Sequence, residues 1–260
     1  MEGRAVLLDI DGITRSFGGV TALAGAAFSV KSGTIHGLIG PNGAGKTTLI
    51  NVLSGITKPD SGSALFDRKP IHMLPPHRVA ALGVARTFQN IRLFATMSCL
   101  DNVIAGQHLV AGRPFLPRLL GLSSARHEEL KWREQAMGRL ERVGIAHRAG
   151  VSAGSLSYGE RRRLEIARAL ASNPRLLLLD EPVAGMHQKG LEEVGGLLRS
   201  LVQEGMTILL IEHNMSFVMR LCSIITVLNF GRTIITGTPE EVARHPQVVE
   251  AYLGANCDHA

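Results

Sequence analysis

Gly40-Pro41-Asn42-Gly43-Ala44-Gly45-Lys46-Thr47 fits the pattern G-x-x-x-x-G-K-[ST], a glycine-rich loop closed by a lysine and a hydroxyl residue. Its glycines permit tight backbone curvature, so successive N–H groups can turn inward and cradle phosphate oxygens. The pattern needs a strand before it and a helix after it. Thr34 to Ile39 supplies a short apolar run, and a helical pattern extends from Lys46 to about Ser54, stopped by Gly55 and then Pro59. The start of that helix directs its positive dipole end at the same anion. Lys46 is then expected to reach the β- and γ-phosphates of a bound nucleotide and Thr47 to offer its hydroxyl to Mg²⁺. Asn42 and Thr48 would add polar contacts.

Working outward, residues 5–10 and 26–30 read as strands, with a turn at Phe17-Gly18-Gly19 between them. From about Gln89 to Ser155 strand-like runs vanish and helical patterning carries charge, notably from Ala125 to Val143. Gly106 to Gly121 contains two prolines and three glycines and reads as a flexible insertion. After a helix at about 159–172, alternation of strands and helices resumes. Leu176-Leu177-Leu178-Leu179 suits a central strand buried on both faces, and a helix at about 189–203 precedes the strand Thr207–Ile211. The pieces Ile224–Leu228 and Thr233–Ile235 complete a core, and Thr238-Pro239-Glu240-Glu241 signals a last helix.

The 260 residues are 45% hydrophobic and 19% charged, which excludes a disordered chain and allows one large α/β domain. Aromatics make up only 4%, and the apolar load falls on residues that pack helices against a parallel sheet. The net charge of +6 suits an anionic membrane face as well as a nucleic acid, and the run Arg161-Arg162-Arg163 reads as a solvated helix face. Cys99, Cys222 and Cys257 form no CxxC pair, so a reducing compartment is expected. No apolar stretch reaches the roughly 18 to 20 residues that span a bilayer.

Asp180 and Glu181 follow the Leu176–Leu179 run, at the carboxyl end of a central strand, where open α/β sheets place ligands. There Asp180 could hold Mg²⁺ through its water shell and Glu181 could polarise an attacking water. A capping Asp-Glu pair before Pro182 is the plainer alternative.

Leu156-Ser157-Tyr158-Gly159-Glu160, continued by Arg161 to Leu170, resembles the signature of ABC ATPases, usually LSGGQ followed by a helix. Tyr158 replaces the second glycine and Glu160 the glutamine, whereas Ser157 and Gly159 are retained. The resemblance implies a P-loop NTPase (RecA-like) α/β fold: a mostly parallel sheet core, an N-terminal antiparallel β-subdomain and an inserted α-helical subdomain. It further implies that Ser157 and Gly159 of one chain meet the γ-phosphate held by another. Three more residues match family positions. Gln89, in Thr87-Phe88-Gln89-Asn90, matches the glutamine that touches Mg²⁺ or the lytic water. His213, in Ile211-Glu212-His213-Asn214, matches the switch histidine. Phe17 matches the aromatic that stacks on adenine. Each alone could be an ordinary surface or core residue; their order along the chain favours the family.

Four segments, Arg15 to Leu23, Ala85 to Asn90, Leu156 to Leu170 and Gln247 to Gly254, look like the ATP-binding subunit of branched-chain amino acid importers. Val183-Ala184-Gly185-Met186-His187 departs from the Ala-Ala-Gly-Leu-Asn common there. The expected organisation is a single ATP-binding domain over 1–260. It would comprise a core of 5–88 and 164–238, a helical subdomain of 89–163 and a tail of 239–260. The implied ligands are ATP and Mg²⁺. The implied partners are a second ATP-binding subunit, identical or paralogous, two transmembrane permease subunits and, indirectly, a solute-binding protein, with no nucleic acid. The location implied is cytoplasmic, peripheral on the inner face of the plasma membrane. The competing class is a soluble ABC ATPase in cluster assembly or on ribosomes or DNA. Ribosome-acting forms usually carry two cassettes, and DNA-repair forms need far more chain between Lys46 and Ser157.

Overall fold

The computed structural model describes residues 4–111 and 123–254. Most of the insertion expected at 106–121, and Cys257, lie outside them. Two compact units are formed, one from 1–79 with 176–260 and the other from 80–175.

In the first unit, β1 (Val6–Phe17) and β2 (Val20–Lys31) make a long hairpin closed by Gly18-Gly19. Both strands outrun the segments expected from sequence. Several register shifts bend the hairpin, and these break the simple apolar alternation from which strand length is read. β4 (Ser61–Phe66) pairs antiparallel with β1, and β5 (Lys69–Pro70) with β4, giving the sheet order β2-β1-β4-β5.

The second sheet of this unit runs β10-β9-β3-β8-β7. β3 (Ile35–Ile39), β7 (Leu176–Asp180) and β8 (Thr207–Ile211) are buried at every position, as expected of strands covered on both faces. They pair in parallel, and β9 (Ile224–Asn229) pairs in parallel with β3. β10 (Arg232–Gly237) turns back antiparallel on β9. Helices α1 (Lys46–Leu53) and α6 (Gln188–Gln203) turn aliphatic faces inward, Leu49, Ile50 and Leu53 from the first, Leu191, Leu198 and Leu201 from the second. Each fully buried leucine contributes roughly 1.5–3 kcal/mol. α7 (Met215–Leu221), α8 (Pro239–Arg244) and α9 (Pro246–Gly254) complete the unit. Proline at the start of α8 and the Thr238–Glu241 capping box explain why the tail begins there.

The second unit holds the short strand β6 (Val84–Arg86) and the helices α3 (Cys99–Ala111), α4 (Ser123–Arg142) and α5 (Tyr158–Leu170). Part of α2 (Pro76–Ala81) also falls in it. The signature helix α5 therefore lies whole in this unit, not divided at 163. Arg162, placed by sequence on a solvated face, is only 2% exposed, because a carboxylate and backbone carbonyls surround it. Cys99 and Cys222 are free and buried. Among the described residues no helix is long and apolar enough to cross a membrane.

His36 sits inside β3, its ring stacked on Phe28 at 5.3 Å and its Nε2 2.8 Å from the Thr226 hydroxyl. Burial lowers its pKa to about 4. The unfolded chain binds this proton below about pH 6.5 while the native chain refuses it until about pH 4. Stability is thus full above the upper value and declines between the two, by about 3 kcal/mol in all. Urea midpoints at pH 7.5 and pH 5 should show this loss in the wild type, and His36→Gln should shrink the difference. An equal pH dependence in both proteins would contradict it.

Candidate functional site

β3 delivers the chain to the phosphate loop, and the backbone there excludes side chains. A Cβ on Gly40 would fall 2.1 Å from the Leu228 carbonyl oxygen, and one on Gly45 2.4 Å from that of Ala22. Gly45 also caps α1 in a left-handed conformation, φ 100°. The Gly231 N–H donates to Ala44 O at 3.0 Å and the Ala24 N–H to Gly231 O at 2.9 Å, so the β9–β10 turn ties the loop to β2. Sequence reading missed Gly231, whose role exists only after folding.

Lys46 curls over its own loop, donating to Gly40 O at 2.6 Å and Pro41 O at 2.8 Å. Burial lowers its pKa, opposed first by Glu181 and then by Asp180. Both carboxylates thus act on the ammonium group that the loop presents. Thr47 is exposed at the start of α1 and Thr48 is half-buried, while Asn42 and Gly43 stand exposed at the crest of the loop. Beside Pro41, Asn42, Gly43 and Ala44 opens a cleft of about 800 Å³ walled by Phe230, Arg232 and residues of α9. Tyr252 also belongs to α9, and burial raises its pKa to about 12.

Asp180, 2% exposed, ends β7, and Glu181 follows at φ 51°, a left-handed conformation unusual for a glutamate. The Glu181 N–H donates to Ile211 O at 3.0 Å, so pairing with β8 holds that conformation. His213 Nδ1 lies 3.7 Å from Glu181 Oε1. This is an electrostatic contact beyond hydrogen-bond length. Behind them Glu212, 1% exposed, accepts the Val183 N–H at 3.0 Å and the His213 N–H at 3.2 Å. Burial raises its pKa, and these N–H groups oppose the shift. Glu212 thereby fastens the segment after Glu181 to His213. A charged residue ending an apolar strand was the available signal for it, and the sequence reading passed over it.

Phe17 is 46% exposed at the end of β1, with the Arg15 guanidinium carbon 4.7 Å from its ring centroid. Asp60 holds Arg15 at 2.6 Å and accepts the Ser16 N–H at 2.7 Å.

The first unit thus gathers the phosphate loop, Asp180, Glu181, His213 and Phe17. Gln89, Ser157 and Gly159 belong to the second. There Ser157 caps α5 in a capping box with Glu160. Its hydroxyl donates to the Glu160 carboxylate at 2.8 Å and its N–H to the same oxygen at 2.9 Å. Those two bonds, then Arg148, lower the Glu160 pKa to about 2. A Cβ on Gly159 would meet nothing within 4 Å, leaving the helix entrance open beside Ser157.

The family model described as "ABC transporter" matches residues 23–184, from within β2 to Ala184, three residues past Glu181. The chain belongs to the ABC transporter family. A second model, "Branched-chain amino acid ATP-binding cassette transporter", matches residues 232–258, the ABC chain's segment beginning at β10. This ABC chain is 42% identical over 249 residues to the high-affinity branched-chain amino acid transport ATP-binding protein BraF of Pseudomonas aeruginosa, covering 95% of this chain and 98% of BraF. To LivG of Escherichia coli, with the same description, it is 40% identical at the same coverage. Among solved structures, a nucleotide-free ATP-binding cassette from an ABC transporter superposes with a TM-score of 0.84 at 33% identity, over 95% of this chain and 99% of that one. The P-loop α/β core, antiparallel sheet and helical insertion are the fold of such ABC cassettes.

Proposed function

We propose that this chain is the ATP-hydrolysing subunit of an ABC importer, energising uptake of branched-chain amino acids or similar small polar solutes through separate permease subunits. One observation carries the reading: Glu181 stands in a strained turn at the end of a buried strand, acting on Lys46 of the phosphate loop and 3.7 Å from His213. The identities to BraF and LivG and the matching C-terminal segment support the solute class.

The loop N–H groups and Lys46 bind the triphosphate, and Phe17 offers its ring to the adenine. The Thr47 hydroxyl and the Asp180 carboxylate are hard oxygen donors of the kind Mg²⁺ takes, and they would hold that ion. Bound there, Mg²⁺ would supply positive charge against the phosphates. Glu181 orients water and accepts its proton as the water oxygen bonds to the γ-phosphorus and the bond to the ADP oxygen breaks. His213 fixes the Glu181 carboxylate, and Gln89 senses the site. Ser157 and Gly159 from a second ATP-binding subunit close over the γ-phosphate, and this closure drives the permeases. The chain thus works as a dimer on the inner face of the membrane.

Affinity purification of the tagged chain from detergent-solubilised membranes tests this reading. Two very hydrophobic proteins should accompany it, and deletion of its gene should abolish leucine, isoleucine or valine uptake. Ribosomes or DNA in their place, with uptake intact, would reject the importer.

A further inference from the structure

Arg162 and Glu165 form an ion pair at 3.0 Å, and their side chains are only 3% and 2% exposed. Both spend the pair on one loop. Arg162 Nη1 donates to Phe88 O at 2.7 Å, Nη2 donates to Gln89 O, and Glu165 Oε1 accepts the Phe88 N–H at 3.2 Å. One turn earlier in α5, the Tyr158 hydroxyl accepts from Arg162 Nε at 3.3 Å and from Nη2 at 3.2 Å. The guanidinium fork therefore spans from the backbone of residues 88–89 to the residue after Ser157. Buried ion pairs add little net stability, so their stabilising value alone is a weak reason to keep one. A loop outside any sheet ladder, however, is positioned by whatever side chains hold its backbone.

We propose that Tyr158, Arg162 and Glu165 form a clamp that makes the Gln89 loop and the Ser157 edge move as one piece. Tyr158 takes part because this chain places a phenol where a glycine is usual, and glycine has no side-chain acceptor to offer the fork. All three are positioning residues; none has to touch nucleotide. A displacement at Gln89 is carried through the guanidinium into the first turn of α5, which presents Ser157 and Gly159. The clamp rests on the proposed function for the roles of Gln89 and Ser157.

The test uses the full chain in a Glu181→Gln background, adding Tyr158→Phe, Arg162→Lys or both. Phenylalanine deletes only the hydroxyl, and lysine keeps the charge but loses the fork. Binding of a fluorescent ATP analogue to the monomer should stay within about twofold throughout, because the phosphate loop is untouched. The ATP concentration for half-maximal dimer formation should rise about 3-fold with Tyr158→Phe and about 10-fold with Arg162→Lys, and the double variant should match Arg162→Lys, as members of one network do. In chains with Glu181 intact, kcat should fall by similar factors while KM changes little.

Unchanged dimerisation and kcat in both single variants would overturn the clamp. So would losses that multiply in the double variant and follow the fall in Tm. Should Arg162→Lys not fold, Tyr158→Phe, which leaves the buried pair in place, decides alone. Absence of any ATP-dependent dimer in the Glu181→Gln parent would count against the proposed function. The clamp would then be judged on kcat, where a wild-type value for Tyr158→Phe rejects it.

Discussion

Exchange of Glu181 for Gln is expected to cut steady-state ATP turnover by about 100-fold or more, the usual worth of a positioned general base. Glutamine preserves the shape of the side chain and lacks only the ability to take a proton. The backbone constraint also survives, since the N–H bond to Ile211 O does not depend on the side chain. Lys46, relieved of one neighbouring negative charge, should hold triphosphate at least as well as before. Nucleotide therefore stays bound and uncleaved, and the closed pair of subunits accumulates. Phosphate release measures the first effect and gel filtration with ATP the second. A mutant that turns over normally would remove Glu181 from its role.

Lys46→Ala acts one step earlier. In the proposed function the ammonium group meets the phosphates, and its bonds to Gly40 O and Pro41 O hold it across the cradle. Alanine leaves the loop N–H groups but deletes the charge that meets the developing negative charge of the transition state. Turnover should fall by about 100-fold or more, with weakened ATP affinity in a calorimetric titration. The fold should persist, because the loop is also held by the Gly231 and Ala44 backbone pair. Together the two variants should separate binding from chemistry: the glutamate variant is expected to dimerise without cleaving, and the lysine variant to do neither. Wild-type turnover after loss of Lys46 would refute the phosphate-loop assignment.

Local chemistry made the phosphate loop legible. Strand, glycine turn and helix are contiguous, and each leaves its own residue pattern. The same holds for β7, where an unbroken leucine run can only be covered on both faces. The hairpin of β1 and β2 was harder, because register shifts scramble the alternation that marks a strand. Three roles were hidden for a common reason, even where, as at Glu212, the residue itself stood out. Glu212, Gly231 and the Arg162–Glu165 pair depend on partners distant along the chain: Val183, Ala44 and Phe88. In one dimension, three consecutive arginines resemble a wet helix face. Only the fold reveals that the middle one points inward.

The left-handed backbone at Glu181 has an evolutionary side. Glycine or asparagine would occupy φ 51° with less strain, so heat resistance alone would reward their arrival there. Cells that depend on the transporter would lose it by the same substitution. Durability and work thus pull on this codon in opposite directions, and a lineage kept under thermal selection without demand for uptake should drift toward a sturdy, idle cassette.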